Sequence, residues 1–120
     1  MSYESGRSGA AVNALLDKVA LGATAAYPLV NHGTSDTTFT LTPNTLHVWD
    51  TVSSLSLSLG TEQSGVANEY LFQFTSGATT TTLSLPDTIK WQEELVIEAN
   101  KIYQISILNG LASVLTFDNA

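Results

Sequence analysis

The sequence contains no cysteine. A disulfide framework and thiol chemistry are therefore excluded. It has few cations: Arg7, Lys18, Lys90 and Lys101 stand singly against eleven Asp and Glu, for a net charge of −7. Nucleic acid is held largely by neutralising its phosphates, and isolated cations on an acidic chain do not make the necessary patch. Anionic membrane surfaces are disfavoured on the same ground. No run of about 20 apolar residues occurs, so no membrane-spanning helix is expected. The opening Met1-Ser2-Tyr3-Glu4-Ser5 lacks the basic and apolar regions of a signal peptide. Charged residues make up only 12% of the chain, about half the usual share.

Hydroxyls take the place of charge. Serine and threonine supply 29 of the 120 residues. Threonine is β-branched and sits well on a pleated face. The length fits one domain with a core that needs no covalent staples. Low charge also suits a chain that buries surface against copies of itself, because interface cores lose charged residues.

Periodicity divides the chain into three parts: a helical arm over 1–21, a connector over 22–38 and a β-domain over 39–120. Ser8 is placed to cap a helix, and Val12, Leu15, Leu16 and Val19 follow the i, i+3, i+4, i+7 stripe before Gly22. Such a short helix is marginal alone, so its stripe must bury against something. Either it packs on its own domain or it serves as a docking arm. The connector holds Pro28 and the turn cluster Asn31 to Asp36, with room for one short edge strand at most.

From Thr38 the period is two. Leu55, Leu57 and Leu59 alternate with serines; Tyr70, Phe72 and Phe74 line another run; Ile102 to Leu108 and Leu111 to Phe117 flank Asn109-Gly110, a strong hairpin signal. Shorter runs lie at 39–41, 46–49, 79–85, 89–91 and 95–97. Without a βαβ rhythm, these read as an antiparallel β-sandwich, jelly-roll-like, of about eight short strands preceded by the α-helix.

The search for chemistry finds little. His32 lies in the turn cluster, and His47 alternates onto the face opposite Leu46 and Val48. Neither shows metal-ligand spacing, and no G-x-S-x-G elbow, P-loop or calcium-loop pattern occurs. Glu93-Glu94 reads as a solvated acidic tip. Trp49 and Trp91 flank short strands and are the candidates for stacking on a ligand. The chain is expected to be no enzyme and to use no cofactor and no metal.

Several segments resemble a known family. They are Leu46-His47-Val48-Trp49 with Val52 to Gly60, Asn68 to Gly77, Thr82 to Pro86, Ile89-Lys90-Trp91, and Ile97 to Ile107. Together they look like the β-domain of small head-fibre and tail-appendage proteins of gut bacteriophages and prophages, crAss-like phages included. Gly9 to Val19 resembles the short helix that opens many of them. The resemblance implies a structural virion protein, a homotrimer anchored to the capsid or another virion protein through its N-terminal region and assembled in the bacterial host cytoplasm. It supplies no catalytic residues. A module binding host-surface carbohydrate on a tail appendage is the alternative.

Overall fold

The computed structural model describes residues 27–119. The expected helix, with Val12, Leu15, Leu16 and Val19, lies outside the described residues. Nine strands follow in order: β1 (Leu29–Gly33), β2 (Thr38–Leu41), β3 (Thr45–Thr51), β4 (Ser54–Leu59), β5 (Glu69–Ser76), β6 (Thr82–Ser84), β7 (Lys90–Trp91), β8 (Lys101–Leu108) and β9 (Leu111–Asp118). They form a six-stranded sheet, β1-β3-β5-β8-β9-β7, and a three-stranded sheet, β2-β4-β6.

The chain alternates between these sheets strand by strand. β1, β3 and β5 are parallel neighbours in one sheet, and β2, β4 and β6 are parallel neighbours in the other. That path is a coil of three turns, a β-solenoid. Only then does the chain reverse: β8 pairs antiparallel with β5, and β9 antiparallel with β8. β7 pairs parallel with the far side of β9.

The expected antiparallel sandwich is thus corrected to a mixed-sheet solenoid. The mainly β class holds, with nine strands where about eight were expected. The reason for the difference is physical. Alternation of period two is the same in parallel and antiparallel strands, so it marks strands without naming their partners. The bends at 42–44 and 52–53 look like hairpin turns in sequence, yet each is a corner that sends the chain to the other sheet. Parallel pairing normally needs a helical crossover; here the strand in the opposite sheet is the crossover. The coil also hides its repeat. Leu29 pairs with Leu46 and Leu46 with Leu71, so successive turns advance by 17 and then 25 residues.

Alternation fills the space between the sheets. In β4, Leu55 and Leu57 point inward while Ser54, Ser56 and Ser58 face solvent. In β5 the inward set is Tyr70, Phe72, Phe74 and Ser76. Register stacks these residues into ladders. One runs Val30, His47, Phe72, Ile105, Val114 across five strands. Phe72 and Phe74 are fully buried, each contributing about 1.5–3 kcal/mol by leaving water.

Polar corners tie the turns together. The Asn44 amide donates to the Glu69 carbonyl at 2.7 Å, and its side-chain oxygen accepts from the Glu69 amide at 3.0 Å. Asn44 sits at φ 57, a left-handed corner that asparagine tolerates. Asn68 holds the 61–68 loop, accepting from Gln63 N and donating to Gln63 O and Val66 O. Asn109 and Gly110 both have positive φ, the signature of a tight type I′ hairpin, and join β8 to β9.

The run at 95–97 forms no strand. Tyr103 fixes that segment instead: its hydroxyl accepts from the Glu98 amide at 2.7 Å and donates to the Val96 carbonyl at 3.4 Å.

Candidate functional site

The densest chemistry lies where the first turn of the coil meets the second, as β1, β2 and β3 bring together His32, Phe39, His47 and Trp49. The turn cluster read from the sequence begins too early: β1 runs through Gly33, so His32 is on a strand, and it is buried. His47 is 1% exposed, on the inner face of β3. Leu46 and Val48 take the outer face and stay only half-buried.

The rings are packed against one another. His32 lies flat on Trp49, with centroids 4.3 Å apart and planes 13° apart. Phe39 meets His32 edge-on at 4.5 Å. The Trp49 indole N–H donates to the Ser35 carbonyl at 2.8 Å, so its polar end is satisfied as a buried tryptophan requires.

Hydrogen bonds run through both imidazoles in one direction. The Thr42 backbone N–H donates to His47 Nε2 at 3.1 Å. That nitrogen must be bare, so the proton of neutral His47 is on Nδ1. His47 Nδ1 lies 2.9 Å from His32 Nε2 and donates to it. His32 then carries its proton on Nδ1, 2.9 Å from an Asp36 carboxylate oxygen. Asp36 reaches back from a position with φ 54, in the turn closed by the Ser35 amide on the His32 carbonyl. The chain amide→His47→His32→Asp36 thus fixes both tautomers.

His47 resists protonation. Burial, and secondarily the charge that His32 would carry, hold the His47 pKa below the usual imidazole value. An added proton on His47 Nε2 would face the Thr42 amide N–H that now donates to it. The chain also ends in a way that prevents general-base work. The nitrogen from which a serine or threonine nucleophile would be activated is occupied by the Thr42 amide. The geometry orients and locks; it does not offer a free base.

The other sequence candidates fall apart from this cluster. Trp49 is 1% exposed, and its face is covered by His32, so it presents no stacking platform to a ligand. Trp91 is half-buried on β7, packed against the core. Glu93 and Glu94 are exposed in a bend. Among the described residues no group of three or more His, Cys, Asp or Glu is placed to hold a metal ion. The histidine cluster was missed because its members are 15 residues apart and belong to successive turns. The available signal was shared parity: His47 and Trp49 alternate onto one face of β3.

Two outward faces differ sharply. The small sheet presents Thr38, Thr40, Ser54, Ser56, Ser58 and Thr82, with Thr40 and Ser58 hydroxyls 2.8 Å apart. A shallow groove runs between β2 and β4 over Thr38, Thr40, Ser56 and Ser58. The large sheet presents leucines: Leu29, Leu46 and Leu71 stand in register across β1, β3 and β5. Leu111, Leu115 and Phe117 are exposed on β9. No protein-family model, curated protein or solved structure matches the chain.

Proposed function

We propose that this chain is a structural virion protein, a trimeric head-fibre subunit that decorates a phage capsid and is anchored through residues 1–21. The observation that supports it most is the three-turn parallel coil. Its two sheets tie the backbone turn to turn, its inner ladders fill the space between them, and its small-sheet face is hydroxylated without charge. Such a body is rigid and quasi-one-dimensional, suited to projecting from a surface. Among the described residues, the cluster of titratable rings is spent on internal hydrogen bonds. The segments that resemble phage appendage proteins point the same way.

Immunogold labelling of purified phage particles with antibody against the chain tests this reading. Gold on capsid-borne appendages is the expected result. Label confined to the particle-free fraction overturns it. The carbohydrate-binding alternative loses Trp49 as a platform and is left with Trp91 and the groove between β2 and β4.

A further inference from the structure

β1 is held to the coil by little. It lies at the edge of the large sheet, with β3 as its neighbour there. Of its five residues only His32 is buried; Leu29, Val30 and Asn31 are exposed. The pairing with β3 slips at a bulge between Asn31 and Gly33, so His32 has no register partner. Polar links around that one ring fix the segment instead. At its start the Leu46 amide donates to the Pro28 carbonyl at 2.9 Å, and at its end the Trp49 indole N–H donates to the Ser35 carbonyl at 2.8 Å. Between them the His32 ring lies on Trp49 and accepts from His47. At Thr37 the coil takes over, since the Thr37 carbonyl accepts from the Ser56 amide of β4 at 2.7 Å. Just before that point stand two residues in the left-handed region, Gly33 and Asp36, at φ 62 and 54.

The His47 ring has room for one proton in this setting. Its Nδ1 proton goes to His32, and its Nε2 takes the Thr42 N–H. A second proton on Nε2 displaces that contact, and no neighbouring charge compensates it. β1 offers His32. Asp36, from the turn that follows, reaches the other nitrogen of that ring and stops there, its side chain 55% exposed. Asp50, farther along β3, stands beside Gly33. β2 presents Phe39, and β5 presents Phe72 in register. Tyr70, also on β5, gives its hydroxyl proton to the Gly60 carbonyl at 2.6 Å. Among the described residues no carboxylate is hydrogen-bonded to His47.

We infer that residues 28–36 are a latch that acid opens: they lie closed on β3 while His47 is neutral and detach from it when His47 takes up a proton. The sign follows from the two states. The closed segment keeps water from the ring and disfavours its charge, which is why the His47 pKa lies below the ordinary value. With the segment detached, water reaches the ring, which then takes its proton at about pH 6.5. Acid therefore draws the population toward the open form. The opening is local. It uncovers one buried side chain of β1, while Phe72, Phe74, Tyr103 and Ile105 keep their partners around β5 and β8. Once open, the latch frees the edge of β3, a row of N–H and C=O groups able to pair with an added strand. The latch does not depend on the virion reading.

Hydrogen exchange followed by nuclear magnetic resonance tests it, on the full chain at pH 7.5 and 5.0, corrected for the intrinsic pH dependence of exchange. The reporters are the Trp49 indole N–H and the Leu46 amide, whose acceptors lie in the segment; the paired amides of β8 are the reference. At pH 5.0 the reporters are expected to lose protection about tenfold or more relative to the reference. The midpoint of that loss should coincide with the titration of the His47 ring, read in the same sample. His47→Gln cannot take the proton and keeps an amide oxygen for the Thr42 N–H, so its reporters are expected to be equally protected at both pH values. Protection lost equally by β8 means that the whole chain unfolds, and overturns the latch. So does protection that stays, a midpoint apart from that of His47, or a loss that survives in His47→Gln. Should that variant fail to fold, the two midpoints in the unmodified chain decide.

Discussion

The starting end of the coil and its middle fill the same interior by different means. Around β5 and β8 the core is Phe72, Phe74, Tyr103, Ile105 and Ile107, nearly all apolar, with Phe74 stacked on Tyr103 at 5.3 Å. Where the first turn meets the second, two histidines share the space with Phe39 and Trp49, held by directed hydrogen bonds. Apolar packing depends on volume and is indifferent to pH. The histidine cluster depends on which nitrogen holds a proton. The two regions are therefore expected to answer acid differently, the histidine end through His47 and the centre not at all.

The largest test of that contrast removes a central ring. Phe72→Ala is expected to cost about 3–5 kcal/mol, since the side chain is fully buried and both neighbouring ladders hold their shape around the gap. Denaturant titrations at pH 8 and pH 5 should report the same loss. A loss that differs by more than about 1 kcal/mol between the two would mean that the centre is coupled to the histidines.

A smaller effect is expected from the histidine end, with a pH signature. An unfolded imidazole takes its proton near 6.5, whereas folded His47 takes it at lower pH. Below about pH 6.5 the unfolded chain binds more protons, so stability falls as the pH drops, until the folded His47 also protonates. His47→Leu should remove most of this slope. At pH 8 it should itself cost about 1–3 kcal/mol, because the Thr42 amide and His32 Nε2 lose their partner. A slope left unchanged between pH 7 and 5 would show that other groups govern the acid response.

The smallest effect belongs to the far end. Lys101 pairs with Asp118 across β8 and β9, which raises the Lys101 pKa and lowers that of Asp118. The pair is exposed and screened, and such pairs add little. Lys101→Met should leave the melting temperature unchanged within error, at low and at high salt alike. A clear salt-dependent drop would make the hairpin end electrostatically sensitive and weaken the contrast.

The sequence reveals strands far better than their partners. Ser54 to Leu59 and Ile102 to Leu108 announce themselves by alternation, and Asn109-Gly110 announces its turn. Pairing does not, because turns of 17 and 25 residues leave no fixed period to detect. The inside of β3 was equally hidden. Leu46 and Val48 are more apolar than Thr45 and His47, yet the latter pair turns inward, where Phe72, Tyr70 and His32 wait in register or in hydrogen-bond reach. Hydropathy alone misjudges a strand whose outer face carries the more apolar side chains, Leu46 and Val48, half-buried. The histidine relay was invisible for a related reason: it is assembled across turns.

The coil also has a direction in which its length can change. β1 and β2, the strands of the first turn, are the edges of their two sheets. Among the described residues nothing pairs with either outer edge, so a further turn grafted ahead of residue 29 would find two aligned rows of backbone groups to receive it. At the other end the sheet beyond β5 is occupied by β8 running the opposite way, and the final edge is β7, two residues long. A protein built on this plan gains length by duplication at its start, while antiparallel β8 and β9 close the large sheet after its last turn.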